Sequence, residues 1–342
     1  MTRAGRCTDG PPDADPSVPV DPGVDRRADG ASSALARHFA GTCSCPITLD
    51  SFGKVPACPS SPSPQVPPRP VPVPVDAPDE NGYQLTADPY GGATWSRVTG
   101  KMFVIDDASA QACSGAVIRS THRNLVLTAA HCVYDQKTRK WKGADELSFV
   151  PARGEDSTGR NKPVDQEKYG VWTRKKAYIP PEYEDGSSAK ATHPDHYDIA
   201  VFTVEDHAKS QGGSIDKPIE DVVGGLDPQV VPAGGSVQGR LVGYPGPPRY
   251  ADEDEATQRY CALGVWKAGT DASSDLRNEQ ACLGYDGNSG GPVVVRDAKD
   301  AGVWRVVGVL NVVWIKGSWH ATGAAPVSDA LTALIARATK DG

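Results

Sequence analysis

Ser289 lies in the run Asp286-Gly287-Asn288-Ser289-Gly290-Gly291-Pro292. Glycines close on both sides let a backbone bend sharply and turn its N–H groups toward one point. A hydroxyl in such a turn is placed to act as a nucleophile beside donors that hold a developing oxyanion, which is what acyl transfer requires. Alone the run is a Gly/Ser turn like many others. It gains meaning only if a base and a carboxylate arrive from elsewhere.

The candidate base is His131, in Leu125-Val126-Leu127-Thr128-Ala129-Ala130-His131-Cys132. Leu125 to Leu127 reads as a buried strand. Two small alanines then leave room for an imidazole to pack closely. The candidate carboxylate is Asp198, at the mouth of the apolar run Ile199-Ala200-Val201-Phe202. Aspartate is disfavoured in strands and costly to bury unpaired. It either caps a strand-edge turn or accepts the Nδ1–H of a histidine, fixing the tautomer and stabilising the imidazolium.

His131, Asp198 and Ser289 follow one another in that order, each within its local signature. Together they resemble the chymotrypsin-like (trypsin-fold) serine peptidases. The resemblance spans about residues 95–338 and is nearest to the glutamyl-endopeptidase branch and to trypsin-like peptidases of actinomycetes. It is carried also by Gly100-Lys101-Met102-Phe103-Val104, Cys113-Ser114-Gly115-Ala116-Val117, Leu241-Val242-Gly243-Tyr244-Pro245 and Tyr260-Cys261. It implies an all-β fold of two six-stranded antiparallel β-barrels with a C-terminal helix. His131 and Asp198 would come from the first barrel and Ser289 from the second. It implies a serine endopeptidase without cofactor or metal, with protein or peptide substrates and an oxyanion hole formed by the N–H groups of Gly287 and Ser289. It also implies the disulfides Cys113–Cys132 and Cys261–Cys282. Four buried thiols are the alternative, and a structural disulfide would point to an oxidising compartment.

The elements that must carry these residues are legible as short apolar runs between Gly, Pro and Asp turns. They include Met102–Ile105, Gly115–Ile118, Leu125–Leu127, Leu147–Val150, Ile199–Val204, Gly239–Val242, Pro292–Val295 and Trp304–Val313. Many short strands without long helices between them argue for a barrel or sandwich. Residues 154–194, rich in charge and proline, read as surface loops around the cleft. Leu331, Leu334, Ile335 and Ala338 recur at helical spacing after Ser328, a good N-cap, and the family's closing helix is expected on the second barrel.

Residues 1–90 form a separate low-complexity region, a pro-segment or linker ahead of a peptidase domain at 91–342. It holds a short candidate helix at Ser32–Ala40, and then Cys43, Cys45 and Cys58, which with Cys7 are expected as a disulfide pair or free thiols rather than a metal site. Pro70-Val71-Pro72-Val73-Pro74-Val75 is polyproline linker composition, which builds no core, so the region is expected to be largely disordered. The net charge of −7 argues against nucleic acid or an anionic membrane as partner. No apolar run approaches the ~20 residues that cross a bilayer. The chain is expected to be secreted and monomeric, although Met1–Arg6 is a basic start with no apolar run after it.

Departures from the family pattern bear on activation and specificity. Animal-type trypsins carry an aspartate before the nucleophile, which pairs with a newly cut N-terminal amine. Here the residue is Asn288, so activity is expected not to depend on such a switch, even though Arg97-Val98 resembles a cleavable junction. Trypsins also place an aspartate six residues before the nucleophile, where this chain has Leu283. Glutamyl endopeptidases use a histidine on the strand after the nucleophile, and Gly308–Trp314 contains none. The expected pocket walls are Leu283, Gly284, Leu310, Asn311, Val312 and Val313, which fit a neutral or apolar side chain. Asp286 sits at the rim or is an ordinary loop carboxylate. Asp252-Glu253-Asp254-Glu255 reads as a solvated acidic loop, and His193 with His196 lacks a third ligand. The readings to be weighed against an active endopeptidase are a catalytically silent binding module, a glutamyl-specific enzyme and a periplasmic quality-control protease. The last would need a peptide-binding domain after the barrels, where only a helix is expected.

Overall fold

The computed structural model describes residues 78–341 apart from 87–91, 107–108, 144–145, 155–167, 211, 247–256, 272–274, 280 and 317–318. The candidate helix at 32–40, the polyproline run, Cys7, Cys43, Cys45 and Cys58, and the acidic run 252–255 lie outside the described residues.

A short strand β1 (Tyr83–Leu85) and a one-turn helix α1 (Thr94–Val98) precede the first barrel. That barrel consists of β2 (Thr99–Asp106), β3 (Ser109–Ile118), β4 (Leu125–Thr128), β5 (Glu146–Pro151), β6 (Trp172–Tyr178) and β7 (Ala200–Val204). It closes in the order β2-β3-β4-β7-β6-β5, every pair antiparallel. Closure leaves no unpaired strand edge. Met102, Phe149, Trp172, Phe202 and Leu127 are buried within it at 0% exposure.

The second barrel consists of β8 (Ser236–Gly243), β9 (Arg259–Ala268), β10 (Leu276–Asn278), β11 (Pro292–Arg296), β12 (Trp304–Lys316) and β13 (Trp319–Pro326). β9-β8-β11-β12-β13-β10 pair in sequence, and β10 pairs back onto β9 to close the ring. Its core is formed by Leu241, Trp266, Leu276, Val293, Val307, Leu310 and Ala324. β1 adds to this barrel from outside, antiparallel to β9, with Tyr83 opposite Cys261. A segment ahead of residue 91 is therefore hydrogen-bonded into the second barrel.

The last helix, α3 (Asp329–Asp341), buries Leu331, Leu334 and Ala338, as its spacing predicts. Two expectations about it are corrected. It follows the second barrel in the chain yet packs on β6 and β7 of the first, with Arg337 donating to the Ile179 carbonyl at 3.1 Å and an Asp341–Lys176 ion pair at 2.5 Å. The helix thus straps one barrel to the other. Ser328 does not cap with its side chain. Its Oγ makes no hydrogen bond among the described residues, and its carbonyl instead accepts from the Thr332 N–H at 3.0 Å and hydroxyl at 3.1 Å.

A buried amide ties α1 to the second barrel. Gln258 is fully buried. It accepts from Ser96 Oγ at 2.7 Å, and its Nε2 donates to the carbonyls of Ser96 at 3.0 Å and Thr99 at 3.2 Å. Nearby, the Arg240 guanidinium stacks on Trp95, Tyr260 and Trp304, 4.9–5.1 Å from each ring centre. Burial lowers the Arg240 pKa, so the rings supply electron-rich faces in place of lost water. Replacing Gln258 by Leu removes its bonds to the Ser96 hydroxyl and carbonyl and to the Thr99 carbonyl, of which the last keeps the Ala152 N–H. Each buried orphan costs about 1–3 kcal/mol, so urea unfolding of Gln258→Leu should show a clearly lower midpoint with an unchanged slope.

Candidate active site

β4 ends at Thr128, and the chain turns at once into a single helical turn, α2 (Ala130–Val133), that carries His131. Ala129 and Ala130 are fully buried, so His131 sits on a rigid base while its own side chain stays 21% exposed. Cys132, the next residue, is joined to Cys113 on β3 by a disulfide, which pins the turn to the barrel wall.

Asp198 ends the one-turn 3-10 helix Pro194–Tyr197, directly before β7. Its carboxylate reaches His131 twice. Oδ2 lies 2.7 Å from His131 Nδ1, and Oδ1 accepts the His131 backbone N–H at 2.8 Å. Two bonds from one carboxylate fix both the ring and the backbone of the histidine. An ionised carboxylate can only accept, so Nδ1–H is the donor to it, and in the neutral ring Nε2 is then the nitrogen with the lone pair.

Ser289 comes from the second barrel, in the turn between Cys282 and β11. Gly287 and Gly290 hold φ of +81° and +79°, a region open to glycine at little cost. The turn is laced by Asn288 N–H to the Tyr285 carbonyl at 3.0 Å and Gly291 N–H to the Asn288 carbonyl at 2.9 Å. It is joined to β12 by Gly290 N–H to the Leu310 carbonyl at 2.7 Å and Leu310 N–H to the Gly291 carbonyl at 2.9 Å. Among the described residues, the N–H groups of Gly287 and Ser289 donate to nothing.

One residue of the first barrel docks this turn. Ser114 on β3 donates its N–H to the Ser289 carbonyl at 2.8 Å and its hydroxyl to the Gly287 carbonyl at 2.8 Å. The same hydroxyl accepts the Tyr244 N–H at 3.0 Å, and Thr128 donates to the Ser114 carbonyl at 2.9 Å. Gly290 lies so close that a Cβ there would stand 2.1 Å from Thr128 Oγ1 and 2.3 Å from the Ser114 carbonyl. Ser289 is thereby seated against the strand end that leads to His131. Its hydroxyl makes no hydrogen bond among the described residues. Ser114 was not singled out from the sequence. Its position next to Cys113 gives no local sign of a partner 175 residues away.

Of the residues expected to line the pocket, Gly284, Leu310 and Val313 lie together, whereas the side chain of Asn311 turns elsewhere. Gly284 is buried against Val313 and Leu310, since a Cβ on it would lie 2.7 Å from Val313 Cγ2 and 3.2 Å from Leu310 Cδ1. Its N–H donates to Thr322 Oγ1 of β13 at 3.1 Å, a partner the sequence does not signal. β12 carries an irregularity between Leu310 and Val312, which leaves Asn311 out of register. The amide of Asn311 donates to the Asp195 carbonyl at 2.6 Å, so it braces the loop behind Asp198. Val312 is half-buried, as is Leu283, which follows the left-handed Cys282 (φ +60°) and its bond to Cys261. Asp286 is exposed to solvent, with partial burial of its carboxyl raising its pKa. His131 also lies within 4.8 Å of Cys113 and Cys132, but their sulfurs are bonded to each other and offer no thiolate to a metal.

His193 pairs with Asp271 at 3.0 Å, and both border a polar cavity of about 500 Å³ together with Lys267, Asp275, Arg277 and Glu279. His196 is buried, which lowers its pKa and favours the neutral ring. Asp275 is largely buried, and one of its carboxylate oxygens has no hydrogen-bond partner among the described residues. Desolvation first, then the charges of Asp195 and Asp198, push its pKa up to about 8. A carboxyl raised in the folded state binds a proton that the unfolded chain has released. Stability is therefore intact below the ordinary carboxylate range and falls as pH rises toward 8. Asp275→Asn, which keeps the shape and removes the titration, should match the parent's melting temperature near pH 4 and exceed it increasingly up to pH 8. A gap that does not change with pH would contradict this assignment.

No helix of the described residues is long and apolar enough to cross a membrane. The Trypsin family model matches residues 96–334. Among solved structures, the protease Anisep from Arthrobacter nicotinovorans is similar at 20% identity and a TM-score of 0.52, over 71% of this chain and 96% of that one. A thermostable serine protease, AL20, from an extremophilic microorganism is similar at 17% identity and a TM-score of 0.54, over 73% and 100%. A Glu endopeptidase is similar at 18% identity and a TM-score of 0.51, over 77% and 99%. No curated protein sequence matches the chain significantly. Two closed six-stranded barrels and a family match over more than half the chain lead to one conclusion: this chain belongs to the trypsin family of serine-type endopeptidases.

Proposed function

We propose that the chain hydrolyses peptide bonds through an acyl-enzyme, with Ser289 as nucleophile, His131 as general base and acid, and Asp198 as the group that orients His131. The observation that carries this is the pair of hydrogen bonds that one carboxylate accepts from His131, 2.7 Å from the ring and 2.8 Å from the backbone. It fixes the tautomer whose Nε2 can take a proton. Ser289 Oγ attacks the scissile carbonyl carbon while its proton passes to His131 Nε2. The tetrahedral oxyanion is held by the N–H groups of Gly287 and Ser289, which have no other acceptor among the described residues. Collapse expels the amine, which takes the proton from His131. Water then repeats the sequence on the ester and frees the acid.

The pocket reading is a narrow, neutral one. Gly284, Leu310 and Val313 approach within van der Waals contact and carry no charge, which favours cleavage after a small apolar or neutral side chain. Nothing in that wall supplies the cation that a glutamate would need. The two disulfides favour an oxidising, extracytoplasmic setting. Every group in the scheme comes from one chain, so a monomer suffices.

A silent binding module is the reading to exclude. A fluorophosphonate probe should label Ser289 in the parent and nothing in Ser289→Ala. That variant should lose on the order of a million-fold in kcat. Asp198→Asn, which leaves His131 free to take the wrong tautomer, should lose about ten-thousand-fold. Turnover by Ser289→Ala at the parental rate would remove the assignment.

A further inference from the structure

The turn that carries Ser289 has an anchor on its far side that lies outside the matched region. Asn288 is fully buried beneath the turn. Its amide is wedged against Gly243, where a Cβ would stand 2.0 Å from Asn288 Oδ1. Oδ1 has no partner among the described residues. The amide's one described side-chain bond is Nδ2 to the Tyr83 hydroxyl, at 2.8 Å.

Tyr83 is itself rigidly held. It is 1% exposed, opposite Cys261 in the β1–β9 pairing, and its ring meets Tyr285 edge-on with centroids 6.5 Å apart. Ahead of it, Asp79 Oδ1 accepts the N–H groups of Asn81 and Tyr83, both at 2.9 Å, in a compact turn. Gly82, at φ +87°, brings the chain so near the Cys261–Cys282 disulfide that a Cβ would stand 2.9 Å from Cys261 Sγ. The Asn81 carbonyl then accepts the Cys282 N–H at 2.9 Å. The segment 79–86 therefore grips both ends of the catalytic turn's lead-in: Cys282 through its backbone, and Asn288 through one phenol.

We propose that Tyr83 is a positioning residue for the Ser289 turn, so that the segment 79–86 is a working part of the enzyme and must stay in place for activity. It acts through Asn288. The phenol holds the amide, and the amide holds the two peptide units that flank Asn288: the following one carries the Ser289 N–H, and the preceding one carries the Gly287 carbonyl and adjoins the unit with the Gly287 N–H. The tie is between two neutral groups, so it needs neither a freed amine nor a particular charge state. This rests on the peptidase reading above, and the two can fail separately.

The test is Tyr83→Phe in the full chain, which removes one oxygen and keeps the ring contact with Tyr285. A misplacement of about 1 Å in catalytic geometry costs up to a hundred-fold, so kcat should fall by about ten- to a hundred-fold while KM stays within about twofold. The rate of labelling by a fluorophosphonate should fall in parallel, measured well below the melting temperature. A purely structural tyrosine would lower the melting temperature and leave the kcat of the folded enzyme unchanged, and that result overturns the proposal. If Tyr83→Phe does not fold, Asn288→Ser, which withdraws the amide from the phenol, should show the same kcat loss with KM held. Parental kcat in that variant also overturns the proposal. An inert parent chain would instead count against the peptidase reading itself.

Discussion

The site depends on how two independently closed barrels dock, because each barrel holds only part of the chemistry. His131 and Asp198 are set within the first barrel and Ser289 within the second. The docking is decided by Ser114, which satisfies two carbonyls of the Ser289 turn at 2.8 Å each. Those carbonyls would otherwise be buried and unpaired, at a cost of about 1–3 kcal/mol each. Gly290 enforces the contact sterically, since any side chain there would collide with Thr128 and Ser114. Polar satisfaction and close approach thus act on the same few atoms, and the cleft takes its geometry from them.

Electrostatics behind the histidine follow from that docking. Asp195, Asp198 and Asp275 converge where the His193–Tyr197 loop meets the second barrel, and Asn311 is bonded to that loop. Carboxylates brought near one another disfavour each other's ionisation. Of the three it is Asp275 whose pKa is pushed up to about 8, by desolvation first and then by the charges of Asp195 and Asp198. Asp198, with two donors from His131, keeps the partner that a buried carboxylate requires.

Much of this was legible along the chain. Strands β2, β4, β7, β11 and β12 follow apolar runs bounded by turn residues, and α3 follows a helical repeat. Ser289, His131 and Asp198 stood out through a glycine-rich frame, a pair of alanines and a carboxylate at a strand mouth, and through their order along the chain. Less legible were residues whose role is their partner. Ser114, Tyr83, Gln258 and Thr322 look like ordinary strand or loop residues, and each is defined by a bond to a segment far away in sequence. The side chain of Asn311 and the placement of α3 belong to the same class. Asn311 is turned by a strand irregularity, and α3 crosses back to the first barrel, where its apolar face finds β6 and β7.

The sequence by itself determined an all-β chain of many short strands, and its motifs carried the resemblance to trypsin-fold serine peptidases that the family match bears out. Those depend on residue type and on short-range spacing, which a linear chain displays in full. Only the tertiary structure decided which surfaces meet: Ser114 with the Ser289 turn, Tyr83 with Asn288, Asp275 with Asp198, Gly284 with Val313. Hydrogen bonding, desolvation and close packing are set by distances through space, and a chain reveals those only once it has folded.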